Sequence, residues 1–76
     1  MIRAFTPHQR RNVRQLSQTL AGRAHLGTML DTHRRALDEL DKLIAAGADT
    51  PTNVAERKAV LANIDTLERF LGKVRA

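Results

Sequence analysis

Two stripes of aliphatic side chains, one on each side of a short polar loop, set what this chain can become. Leu26, Leu30, His33, Leu37, Leu40 and Ile44 recur at steps of 4, 3, 4, 3 and 4, thickened by Met29, Ala36 and Leu43. That spacing gathers them on one face of an α-helix. The other face carries Asp31, Arg34, Arg35, Asp38, Asp41 and Lys42, which makes the segment amphipathic. Asp31/Arg35 and Asp38/Lys42, acid before base and four apart, add roughly 0.3 kcal/mol each. Nothing here alternates with period two, so a strand is excluded.

Beyond the loop the logic repeats. Val60, Ile64, Leu67, Leu71 and Val74 step by 4, 3, 4 and 3, with Leu61 and Phe70 alongside. Gly47, after two alanines, reads as the stop of the first arm. Asn53 with Glu56 three residues on looks like a capping pair, and Thr50-Pro51 offers a start one turn earlier. Lys73 and Arg75 fall in the last turn, where the helix dipole favours cations. A connection as short as Gly47-Ala48-Asp49-Thr50-Pro51-Thr52 makes the arms neighbours of opposite direction, an antiparallel helical hairpin.

Ahead of the hairpin, Met1 to Phe5 reads as an extended lead-in that Phe5 anchors. Thr6-Pro7-His8-Gln9 is a helix start, with Thr6 as cap, Pro7 first in the helix and Gln9 completing a capping box. Helix 1 follows, with Val13, Leu16 and Leu20 as a narrow apolar stripe. At about 100° per residue that stripe centres roughly 130–140° away from the stripe of 26–44. Supercoil drift amounts to only about 20° per heptad. A break or kink near Gly22 or Gly27 is therefore expected, with Thr28–Asp31 as the new cap. The rival is one continuous helix from Pro7 to Ala46, about 60 Å long. The predicted fold is all-α, a single domain over 1–76, with helices at about 7–21, 24–46 and 53–75.

A chain of 76 residues without cysteine has few sources of extra stability. Domains this small bury only about 60–65% of their unfolded surface and usually add disulfides, a metal or a second chain. The absence of cysteine removes disulfides and thiolate metal sites together. A homodimer, two hairpins making a four-helix bundle, is the preferred form; a self-sufficient three-helix monomer is the rival. No apolar run approaches the roughly 20 residues of a membrane span. No hydrophobic stretch follows the N-terminal charge, so a secretory signal is not expected. The expected setting is cytoplasmic, without membrane.

Net charge is +5, but residues 1–35 carry +6 and residues 36–76 carry −1. The asymmetry points the N-terminal half at an acidic partner, nucleic acid or an acidic protein surface. Catalytic patterns are missing: no Gly-rich phosphate loop, no nucleophile elbow and no HExxH. Ser17, the only serine, lies within helix 1 and reads as a solvated helix residue. Asp38, Glu39 and Asp41 read as solubilising charge rather than paired catalytic carboxylates. His25, Met29 and His33, spaced four apart, share a helical face where copper or zinc is conceivable, but no fourth ligand accompanies them. They continue the apolar stripe, so neither a metal nor a cofactor is expected. In a homodimer, protonation of His33 would weaken the interface at mildly acidic pH.

The arginines of the N-terminal half carry the functional reading. Arg3, Arg10, Arg11 and Arg14, with His8, suit phosphates or a carboxylate-rich surface. Phe5 is the only aromatic near them, which weakens base stacking. No short turn sets up a clear helix-turn-helix. A stripe of three apolar side chains is too narrow for an interfacial membrane helix. The expected function is a non-enzymatic protein-binding module, a stoichiometric regulator or inhibitor that occludes a surface of a larger target. It would lay helix 1 into a groove with Val13, Leu16 and Leu20 as anchors and Arg3, Arg10, Arg11 and Arg14 setting orientation. The alternative is a nucleic-acid-binding helical dimer that uses the same arginines. Very small, arginine-rich helical proteins are common among regulators carried by phages and mobile elements, an association of composition rather than of residues.

Overall fold

The structure, a computed structural model, describes residues 1–72. They form α1 (Pro7–Leu16), α2 (Leu20–Ala45) and α3 (Pro51–Leu71), with no strand among the described residues. The fold is all-α.

The start of α1 follows its residues. The Thr6 hydroxyl accepts the Gln9 N–H at 3.1 Å, and Gln9 Oε1 accepts the Thr6 N–H at 2.9 Å. This reciprocal pair satisfies two donors that a helix start leaves open.

The end of α1 departs from expectation. The helix stops at Leu16, not near 21, and α2 begins at Leu20, not at 24. The break lies in Ser17-Gln18-Thr19 rather than at Gly22 or Gly27. Ser17 turns its hydroxyl back to the Arg14 carbonyl at 2.6 Å. Thr19 is extended (φ −129°, ψ 156°) and caps α2, its hydroxyl accepting the Gly22 N–H at 2.9 Å. Thr28 is no cap: its hydroxyl donates to the Ala24 carbonyl, 3.3 Å away inside α2. The change of phase in the apolar pattern is thus a change of helix. Gly22 has a different task. A Cβ there would run into the Leu16 carbonyl oxygen and lie 2.8 Å from the Leu16 Cα, so only glycine lets the end of α1 rest on the first turn of α2.

Gly47 does stop α2. With φ 101° it takes the left-handed turn that closes a helix, donating to the Ile44 carbonyl at 3.0 Å while Ala48 donates to Leu43 at 2.9 Å. Helix α3 uses the earlier of its two starts, with Thr50 as cap over the Asn53 N–H at 3.2 Å. Asn53 therefore caps nothing. Its side chain donates to the Ala48 carbonyl at 2.8 Å, and Glu56 accepts the Ile2 N–H at 2.9 Å. Lys73, Val74 and Arg75, expected in the last turn, lie outside the described residues.

Contacts along α2 and α3 run in opposite order: Arg23 meets Leu71, His33 meets Asn63 and Asp41 meets Arg57. Between them lie Leu26, Leu30, Leu40, Val60, Ile64, Leu67 and Leu71, all buried, with Val13 added by α1. At about 2 kcal/mol for each large aliphatic side chain, this burial is the main term holding the helices together. Within one chain these members of the two stripes cover one another, while Leu43 and Leu61 beside them stay exposed.

Ion pairs rim the α2–α3 contact: Arg34–Glu68 at 2.6 Å and Arg57–Asp41 at 2.5 Å bridge the helices. Asp38–Lys42 at 3.0 Å and Asp65–Arg69 at 2.8 Å lie within one helix. Exposed pairs of this kind contribute about 0–1 kcal/mol each. The hydrogen bond and charge of Asp38, with Glu39 adding to it, hold the Lys42 ammonium above its ordinary pKa. Asp31 and Arg35 form no ion pair among the described residues, against the expectation from their spacing.

Candidate functional site

The position of α1 is set by one buried carboxamide. Asn63 Oδ1 accepts the Phe5 N–H at 2.8 Å, and Asn63 Nδ2 donates to the Arg3 carbonyl at 2.9 Å. The same Nδ2 lies 3.2 Å from His33 Nε2, whose ring places Nδ1 2.8 Å from the Met29 carbonyl. With Nδ1 donating and Nε2 accepting, every polar atom of this cluster is matched. Phe5 meets the His33 ring edge-to-face, centroids 5.7 Å apart. The Phe5 carbonyl in turn accepts from Arg10 Nη1 at 3.0 Å. The lead-in is thus strapped to α3 and α2, and α1 leaves it beside α3.

Between α1 and α3 this arrangement opens a cleft of about 360 Å³. Helix α1 contributes Pro7, Arg10, Arg11 and Arg14 to it; α3 contributes Thr66, Arg69 and Phe70. Four arginines therefore line the cleft together with the half-buried Phe70. Arg69 is paired with Asp65, and Arg10 holds the Phe5 carbonyl. Arg11 and Arg14 have no ion-pair partner among the described residues. Both also border a second recess with Gln15 of α1 and Gln18 of the turn that follows it, which continues the cleft toward the end of α1. Helix α1 contains no acid. Five of the eight acids are matched elsewhere: Asp38, Asp41, Asp65 and Glu68 to basic side chains, and Glu56 to the Ile2 N–H. Arg10, Arg11 and Arg14 thus place three positive charges on α1 with no acid in that helix.

Of the residues expected to bind a partner, Arg10, Arg11 and Arg14 come together here. Arg3 does not; it lies on the lead-in, where its carbonyl is held by Asn63. The apolar stripe of helix 1 is split. Val13 is 3% exposed and belongs to the core, Leu16 packs against that core, and Leu20 is 89% exposed but opens α2. Three anchors in one row on one helix do not exist, because the turn at 17–19 redirects the third and the first is already covered. Sequence reasoning missed Asn63 and the α3 wall. The signal was present: Asn63, Thr66 and Phe70 step by 3 and 4 along one face of α3, a polar residue beside the stripe it was read against.

Side chains that suggest chemistry are engaged otherwise. The Ser17 hydroxyl donates to the Arg14 carbonyl, and His33 has a partner on each ring nitrogen. His25 and Met29 border a recess of about 180 Å³ with Phe5, Val13 and Leu16. No group of three metal-ligating His, Cys, Asp or Glu side chains occurs among the described residues. No helix among them is long and apolar enough to cross a membrane. The chain matches no protein-family model, no curated protein and no solved structure.

Proposed function

We propose that this protein is a non-enzymatic binding module, a stoichiometric regulator that occludes a surface of a larger protein. The observation that carries this reading is the cationic cleft between α1 and α3, which Arg10, Arg11, Arg14 and Arg69 line together with Phe70. Guanidiniums bind carboxylates bidentately and steer an acidic surface into register. With Val13 in the core, the grip is electrostatic and lies on the outer side of α1, rather than an apolar ridge set into a groove.

Nucleic acid is the second reading, favoured by a specific observation: Arg11, Arg14 and Gln15 of α1 and Gln18 of the turn after it line one recess, and they are the side-chain types that pair with base edges in a major groove. Affinity capture from a nuclease-treated host lysate separates the two. Wild-type protein and the Arg11→Glu/Arg14→Glu variant serve as baits, and mass spectrometry reads the product. A protein retained by the wild type and lost by the variant supports the regulator. Retention of nucleic acid alone from an untreated lysate, with steep loss in salt, overturns it.

A homodimer belongs to the same proposal, on a different surface from the one first expected. The stripes of α2 and α3 cover each other within one chain, so a second copy has only the outer faces to meet. Val54 and Leu61, seven apart on α3, are 50% and 39% exposed, and Leu43 on α2 is 47% exposed. These helices would pair across an antiparallel hairpin of α2 and α3. Sedimentation equilibrium of Val54→Asp/Leu61→Asp against wild type tests this; a wild-type monomer at tens of micromolar removes the dimer.

A further inference from the structure

We infer that the α1–α3 cleft takes an acidic polypeptide segment with one large apolar side chain set between its carboxylates. This rests on the protein-binding reading above and names the chemistry of the partner. The two walls of the cleft differ. The α1 wall presents Arg10, Arg11 and Arg14 with no acid in the helix. The α3 wall presents Phe70 and Arg69, and Asp65, just outside the lining, is bonded to Arg69 at 2.8 Å. A uniform polyanion meets this badly. A nucleic-acid strand can stack a base on Phe70, but it carries a charge at every nucleotide, so phosphates that run past Arg69 would meet the Asp65 carboxylate beside it. A polypeptide can place carboxylates toward Arg11 and Arg14, an apolar side chain over Phe70, and an uncharged residue at Asp65. A cleft of about 360 Å³ accommodates one large side chain and its neighbours' stems.

Arg11 and Arg14 are the two guanidiniums free to rotate onto such carboxylates. Arg10 is partly committed to the Phe5 carbonyl and Arg69 to Asp65, so they give the cleft its fixed field. Gln15 and Gln18, farther along the same side, offer carboxamides to the segment's main chain. The protein already uses that chemistry internally, where Asn63 holds an extended backbone by the Phe5 N–H and the Arg3 carbonyl.

The test uses fluorescence anisotropy on the full chain at low salt with three labelled probes. They are a short Asp/Glu peptide with a central Phe, the same peptide with Ser in place of Phe, and an oligothymidylate of similar length. The Phe peptide is expected to bind, and the Ser peptide several-fold more weakly. Arg11→Glu/Arg14→Glu should cost at least about tenfold for the Phe peptide, as expected for lost charge-assisted pairs. Thr66→Trp, which fills the cleft from α3, should weaken the Phe peptide and leave the Ser peptide little changed. Arg35→Glu, on α2, outside the cleft lining and without an ion-pair partner among the described residues, should leave the Phe peptide within about twofold when the titration is repeated at about 0.15 M salt, where charges are screened beyond about 8 Å. Circular dichroism establishes that each variant is folded. Equal binding of the two peptides, tighter binding of the oligothymidylate, or equal loss in the α2 variant each overturns the inference. If lysate capture yields a protein that depends on Arg11 and Arg14 but the Phe peptide does not compete for it, the inference fails alone. If no such protein is captured, the parent reading fails.

Discussion

Asn63 Nδ2 lies 3.2 Å from His33 Nε2, and through this contact the strap that positions α1 is keyed to the interior of the α2–α3 pair. Asn63 is 1% exposed, so what it gives up on substitution is not recovered from water. Asn63→Leu keeps the volume but strands His33 Nε2, the Phe5 N–H and the Arg3 carbonyl. A loss of about 2–3 kcal/mol is expected in chemical denaturation, since each stranded buried group costs about 1–3 kcal/mol and two of the three can reach solvent. Hydrogen exchange at the Phe5 amide should accelerate in parallel. Unchanged exchange there would mean that the lead-in is held by something else.

Two glycines in α2 separate close approach from simple helix propensity. Gly22→Ala forces a methyl into the Leu16 carbonyl and should destabilise by about 1–3 kcal/mol, the usual cost of an overpacked contact. Gly27 has nothing within 4 Å of where its Cβ would stand, so Gly27→Ala should stabilise by about 0.5–1 kcal/mol through helix propensity alone. Thermal denaturation of both variants checks the pair. Opposite signs are required.

Thr19 caps α2, and the first turn of that helix holds no acid. Thr19→Ala should cost about 1 kcal/mol. Thr19→Asp keeps an acceptor for the Gly22 N–H and adds a negative charge to the positive end of the helix dipole, so it should match or exceed the wild type by up to about 1 kcal/mol. Urea denaturation orders the three. An alanine variant as stable as the threonine would place the end of α1 somewhere other than 17–19.

Leu16 and Leu20 should part company. Leu16 packs on the core, and Leu16→Asp is expected to destabilise by about 2–4 kcal/mol, which confounds any binding assay. Leu20 is 89% exposed, and Leu20→Asp should stay within about 0.5 kcal/mol of wild type. Loss of partner capture by folded Leu20→Asp would add that side chain to the binding surface.

The helices were readable in the sequence because burial and period agree in them. Leu26, Leu30, Leu40, Val60, Ile64, Leu67 and Leu71 were all picked out by spacing and all lie in the core. Thr6, Pro7 and Gln9 formed the cap that their order implied. The turn at Ser17-Gln18-Thr19 was not readable, because glycine is the louder signal and Gly22 drew attention that its packing role, not a break, explains. Val13 was misjudged for a related reason. A stripe of three looks free for a partner until tertiary contacts show that its first member completes the core. The arginines of α1 stood out by charge, but their second wall did not. Thr66, Arg69 and Phe70 come from residues more than fifty positions away, and tertiary contacts (the Asn63 strap, Val13 in the core and Leu16 on Gly22) bring them opposite.

A single guanidinium has a wider reach than its sequence position suggests. Arg23 donates to the carbonyls of Leu71 at 2.8 Å, Phe70 at 3.3 Å and Ser17 at 3.4 Å. The end of α3 and the elbow between α1 and α2 are thereby fastened by one rivet. Two places far apart in the chain thus draw on the same donor, and replacing Arg23 deprives both of it at once.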